Sequence, residues 1–150
     1  MNLFFDLDGT LIDSKPRLYQ LFQDLHPAED LSYEAYWELK KSKHSHAKLL
    51  SERYKKDEAY IKQFEQDFLS KIETSDYLKL DKPFDGVGEL LKKWSTEYNV
   101  YIVTARQYFD AAEAQIKSFG WDSFIKALLV TQQQKTCLLY TSDAADEGHC

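Results

Sequence analysis

Cysteine is almost missing from this chain of 150 residues: only Cys137 and Cys150 occur, both near its end. The rest of the chain has no thiols for a disulfide framework or a cysteine-held zinc site. Basic excess is missing too. The formal charge of −6 argues against a generic nucleic-acid binder, which is normally basic. No apolar run approaches the roughly 20 residues of a membrane span. The opening residues Met1-Asn2-Leu3-Phe4-Phe5-Asp6 carry neither a basic n-region nor a long apolar h-region, so no signal peptide is read and a cytoplasmic location is expected. With three prolines and five glycines, the chain shows no internal repeat and no low-complexity segment. It is instead 43% hydrophobic and 15% aromatic. That is enough to bury a sizeable core and excludes disorder of the whole chain. The length suits one domain, or a core with a small insert.

The end of the chain stands apart. Cys137 to Glu147 resembles the translation of an adapter used in transposase-based sequencing libraries, and residues 137–150 are therefore expected to be a non-native tail. Such scars are set aside before fold reasoning. The natural segment is then expected to run from Met1 to about Thr136 of a truncated reading frame. Removing Asp143, Asp146 and Glu147 with the tail leaves a formal charge of −3.

Hydrophobic periodicity orders the remainder. Asn2 to Asp6 reads as a buried strand, followed by the turn signal Asp8-Gly9-Thr10. Pro16 opens a helix carrying Leu18, Leu21, Phe22 and Leu25. A second helix is predicted over Ser32 to Lys41, with Tyr33, Tyr36, Trp37 and Lys40 along it. A third starts at the N-cap candidate Ser45. A fourth follows Lys56 with the stripe Ile61, Phe64, Phe68, Ile72. Asp81 to Gly86 reads as a linker. Val87, Leu90, Leu91, Trp94 and Tyr98 predict a further helix. Val100–Val103 is a strand, Phe109–Phe119 a helix ended by Gly120, and Ala127–Val130 a strand. Helices alternating with strands imply an α/β fold with a parallel sheet.

Open α/β sheets bind ligands beyond the carboxyl ends of their strands. Asp6 and Asp8 end the first strand, Thr104 ends the Val100–Val103 strand, and Lys135 follows the last. Asp6 and Asp8 are expected at the end of a central strand, with Thr104 ending its neighbour. Two carboxylates two residues apart can share a hard cation. A carboxylate can also attack phosphorus, and Gly9 permits the sharp turn between them. A hydroxyl and an ammonium can bind phosphoryl oxygens. The set suits phosphoryl transfer and suits acyl transfer poorly, because no Ser-His-Asp set is apparent.

The run Asp6-Leu-Asp8-Gly9-Thr10-Leu11-Ile12-Asp13-Ser14 resembles the first motif of the haloacid dehalogenase superfamily. Val103-Thr104-Ala-Arg106 resembles its second motif, and Lys135 its third-motif lysine. The resemblance spans residues 1–136. It implies a Rossmann-like, three-layer parallel sheet, incomplete here, made from 1–14 and 81–136, with a helical type-1 cap inserted over 15–80. It further implies that Asp6 is the nucleophile, that Asp8 is the general acid and base, and that Thr104, Lys135 and Thr10 bind phosphate. Mg2+ would be held by Asp6 and the main-chain carbonyl of Asp8. An acid at Asp8 favours phosphate esters over carbon–halogen bonds. The fourth-motif acidic pair has no counterpart in 1–136. Asp143, Asp146 and Glu147 mimic its pattern but lie too close to Lys135 for the intervening helix and strand.

The expected activity is thus a magnesium-dependent phosphomonoesterase acting on a small phosphorylated metabolite, inactive as this truncated chain. The partners expected include neither nucleic acid nor membrane. A sugar phosphomutase with the same Asp pair and a non-catalytic phosphate-ligand-binding fragment are the alternatives. Lys40 and Lys43 lie in a basic run that reads as a solvated junction or, functionally, as a cap loop over an anionic substrate. Arg17 and Arg106 read as partners of surface acids more than as phosphate ligands. His44 and His46 lack metal partners, and Tyr33, Tyr36 and Trp37 read as core of the helical insert.

Overall fold

The computed structural model of the chain describes residues 1–131. Lys135 and the adapter-like stretch lie outside the described residues. Three strands, β1 (Asn2–Asp6), β4 (Asn99–Thr104) and β5 (Ala127–Val130), form a parallel sheet in the order β1-β4-β5. In register, Asp6 faces Val103 and Thr104 faces Val130. The α/β class and the three strands follow the sequence pattern. The placement of β1 does not: among the described residues β4 is central, because nothing there pairs with the outer side of β1.

Strand alternation sorts the side chains. Phe5, Leu7, Val100 and Ile102 join one apolar cluster with Val87 and Leu91 of α6 (Val87–Ser95) and Ile116 of α7 (Phe109–Ser118). Both crossovers advance in the same direction across the sheet, and right-handed connections place such helices on one face. Phe4 and Tyr101 stack on the other face, centroids 5.0 Å apart, with Phe4 exposed. In α6 the expected stripe holds at Val87 and Leu91, whereas Leu90 is exposed.

The helical insert occupies the chain between two short strands, β2 (Ile12–Asp13) and β3 (Lys82–Pro83), which pair antiparallel. The segment read as a linker therefore contributes a strand. The insert contains α1 (Lys15–Leu25), α2 (Tyr33–Lys41), α3 (His46–Lys48) running into a π turn over Leu49–Arg53, α4 (Glu58–Lys71) and α5 (Ser75–Leu78). Ser32, Ser45 and Asp57 cap α2, α3 and α4, accepting from Ala35 N, Lys48 N and Tyr60 N, which satisfies main-chain donors that the first turn leaves open. The insert has its own core. Leu21, Phe22, Tyr36, Leu49, Leu50, Phe64, Phe68 and Ile72 are buried in it, as the stripes predict. No described helix is long and apolar enough to cross a membrane.

Candidate active site

The site is built on the turn after β1. The Leu7 carbonyl accepts from Thr10 N, Leu11 N and Ile12 N, and Gly9 N donates to Ile12 O at 2.9 Å. Gly9 has φ +80°, a left-handed conformation that glycine adopts without steric cost. This turn leaves Asp6 at the end of β1 and sets Asp8 in a bridge with Ile12. The Asp6 carboxylate accepts from Leu7 N at 2.8 Å. Thr104 ends the neighbouring strand, buried, one register step beyond Asp6. Its hydroxyl accepts from Arg106 N at 3.4 Å. Thr10 is exposed in the turn.

Asp8 is the most constrained of these groups. Arg106 grips it with two donors, Nε to Oδ2 at 3.0 Å and Nη2 to Oδ1 at 2.7 Å, and Arg17 Nη2 adds a third at 2.9 Å. Both arginines are buried, with side chains 4% and 3% exposed, while the Asp8 side chain is 32% exposed. Burial pushes the Asp8 carboxyl up, but the hydrogen bond and charge of Arg106, the charge of Arg17 and the Ser14 hydroxyl outweigh it and hold the group below its ordinary value. The expectation that Arg17 and Arg106 pair at the surface is therefore corrected. They do pair with acids, but inside the protein, and one of those acids is Asp8.

A second carboxylate completes the network. Asp81 is fully buried and accepts from Arg17 Nε at 2.9 Å, from Gln115 Nε2 at 2.8 Å and from Arg106 Nη2 at 3.4 Å. Gln115 Oε1 in turn accepts from Arg106 Nη1 at 2.6 Å. Two carboxylates thus balance two guanidiniums, and the planar forks suit that arrangement. Sequence reading placed Asp81 in a linker and overlooked Gln115. Neither carries a local signal, because each gains its meaning from partners far along the chain.

Lys40 and Lys43 lie at the carboxyl end of α2, where Lys43 N donates to Lys40 O at 3.0 Å. Burial lowers the affinity of Lys40 for its proton. Lys43 is exposed, with φ 62°. His46 packs against the insert core, its ring meeting Phe22, Tyr36, Phe64 and Phe68. Its Nε2 lies 2.8 Å from the Tyr36 hydroxyl.

For a hard cation, Asp6 and Asp8 offer oxygen donors of the right kind. The Asp8 carboxylate is already engaged by two guanidiniums. Among the described residues, no group of three or more His, Cys, Asp or Glu side chains converges as a metal cluster.

Comparison with known proteins places this geometry. The chain matches the family model for haloacid dehalogenase-like hydrolases over residues 3–136. Comparison with curated proteins gives no match. Among solved structures, a Clostridium difficile protein assigned as a phosphatase superposes with a TM-score of 0.69 at 19% identity, covering 93% of this chain and 67% of that one. A haloacid dehalogenase-like hydrolase from Streptococcus pneumoniae gives 0.66 at 20% identity, with the same coverage. A Bacillus subtilis hydrolase of the superfamily, solved with bound magnesium, gives 0.54 at 20% identity, covering 89% of this chain and 64% of that one. The chain thus spans about two thirds of the length of these structures. Their identities establish a shared fold, and the family match over nearly the whole chain establishes its membership. The chain belongs to the haloacid dehalogenase-like hydrolase family.

Proposed function

We propose that the complete protein is a magnesium-dependent phosphohydrolase of small phosphorylated metabolites that works through an aspartyl-phosphate on Asp6. The observation that carries this reading is the position of Asp6 and Thr104 at the carboxyl ends of adjacent parallel strands, Asp6 opposite Val103 and Thr104 one step beyond, with Asp8 in the Gly9 turn that follows β1. A carboxylate oxygen of Asp6 attacks phosphorus and the bond to the leaving oxygen breaks. That oxygen takes a proton from Asp8. Water then attacks the aspartyl-phosphate, gives its proton to Asp8 and releases inorganic phosphate. Thr104, Thr10 and Lys135 bind the phosphoryl oxygens.

The Asp6 carboxylate and the Asp8 main-chain carbonyl would hold magnesium, which when bound offsets charge on the phosphoryl oxygens. The Bacillus subtilis neighbour described as bound to magnesium supports the choice of metal. The arginine contacts favour Asp8 as a carboxylate, the form that accepts a proton. In this reading the insert over 15–80 is a cap that excludes water and contacts the substrate.

The test is turnover by the chain extended through its complete reading frame, assayed with magnesium and a panel of phosphomonoesters. Asp6→Asn should abolish phosphate release, because an amide neither attacks phosphorus well nor binds magnesium as an anion. Near-normal turnover in that variant would overturn the mechanism.

A further inference from the structure

Arg17 stands where the chain enters the insert and touches everything that matters to that junction. It lies in the first turns of α1, just after β2. Its Nη1 donates to the Ile72 carbonyl at 2.9 Å, just past the end of α4. Its Nε donates to Asp81 at 2.9 Å, where the chain returns to the sheet. Its Nη2 donates to Asp8. One buried guanidinium thus binds the outgoing crossing, the returning crossing and the site carboxylate. Arg106 clamps the same two acids from the loop after β4.

We infer that Arg17 is a positioning residue that couples the seating of the helical insert to the placement of the Asp8 carboxylate. Three partners on three segments use separate donors of one rigid, planar group. The insert cannot rotate on its crossings without breaking the Arg17–Asp8 bond or carrying Asp8 along. Arg106 holds Asp8 from the sheet side, so Asp8 is located by two bodies at once. The inference rests on the proposed role of Asp8 as acid and base. Arg17 itself transfers no proton; it acts through Asp8.

The test uses the chain extended through its complete reading frame, with Arg17→Met, Arg17→Lys, Asp8→Asn and the Asp8→Asn/Arg17→Met double variant. A misplaced catalytic group costs on the order of 10²-fold in rate. Arg17→Met should therefore lower kcat by about that factor while KM stays within about twofold. Arg17→Lys keeps the charge but not the fork and should stay well below wild type. In the Asp8→Asn background, Arg17→Met should cost nothing further in kcat, because the group it places is gone. Losses that multiply in the double variant would overturn the coupling. So would a raised KM at unchanged kcat, which would make Arg17 a substrate ligand.

A second readout needs no turnover. In amide hydrogen exchange on the 150-residue chain, Asp8→Ala alone should speed exchange at both crossings, around residues 15–18 and 72–82, because it removes the acceptor that anchors Arg17 Nη2. Unchanged exchange there would overturn the coupling. Absence of phosphatase activity in the wild-type protein, together with the exchange change, would overturn only the proposed reaction.

Discussion

Glu73 reaches from the helical insert across to Gln107 and accepts its main-chain N–H at 2.9 Å through Oε2 and 3.1 Å through Oε1. The same carboxylate accepts from Tyr108 N at 3.1 Å. Helix α7 begins at the next residue, and Tyr108 offers no side-chain cap of its own. The insert therefore supplies the anionic cap of a helix in the sheet layer, where the helix dipole favours negative charge.

Glu73→Ala should leave those part-buried main-chain donors without their charged partner and destabilise the chain by about 1–2 kcal/mol. Glu73→Gln keeps an acceptor but removes the charge, and should cost less, about 0.3–1 kcal/mol. Denaturant unfolding of the two variants against wild type checks the order. Equal stability of all three would show that the contact contributes nothing.

His46 predicts an acid-side loss of stability. Its ring is surrounded by Phe22, Tyr36, Phe64 and Phe68, the last 4.7 Å away between centroids. Burial, then the charge of Lys40, pushes its pKa from the ordinary 6.5 down to about 3. Between those values the unfolded chain binds the proton and the folded chain does not. The contribution of neutral His46 is therefore fully present above pH 6.5 and is lost as pH falls toward 3, at up to about 1.4 kcal/mol per pH unit. His46→Gln should flatten the stability curve over that window. Superimposable slopes for variant and wild type would refute the assignment.

Gly9→Ala isolates backbone strain from crowding. A β-carbon at Gly9 would meet nothing within 4 Å, yet φ is +80°. The expected cost is about 1–2 kcal/mol from the left-handed conformation, and Gly9→Asn should cost less, since asparagine tolerates that region. A full alanine penalty with a normal asparagine variant, read by thermal unfolding, separates strain from a lost contact.

Lys40 and Lys43 test the cap reading of the insert. If the basic run contacts an anionic substrate, Lys40→Ala and Lys43→Ala in the completed protein should each raise KM several-fold and leave kcat within about twofold, the signature of uniform binding. Wild-type kinetics across a panel of phosphate esters in both variants would leave the run as a solvated junction.

Much of the fold was legible because its signals are local. The Phe64–Phe68–Ile72 stripe, the Ser45 cap and the Val100–Val103 run each declare an element within a dozen residues, and the structure bears them out. The β2–β3 pair was not legible, since two residues per strand make no periodicity. Asp6 and Thr104 were readable from their place after apolar strands, and they end the neighbouring strands β1 and β4, with Asp6 opposite Val103. The arginine network was not. Charged side chains are rarely buried unless paired, and the partners here lie 64 residues apart for Arg17–Asp81 and 98 for Arg106–Asp8. Nothing in the neighbourhood of Arg106 announces Asp8. Leu90 helped to mark α6 yet is exposed, because an apolar residue at a helical position says nothing about whether its face is covered.

The two apolar cores share no buried residue. Evolution can consequently vary one without retuning the other. A change of volume among Phe22, Tyr36 and Phe64 reshapes whatever the insert presents, while Leu7, Leu91, Ile102 and Ile116 go on holding the strand ends as before. The freedom has a fixed toll. Any foreign insert grafted between β2 and β3 must still bring an arginine at the entry and a carboxylate facing Gln107 at the exit, so a chimera screen that randomises every other position of the insert should recover those two side chains.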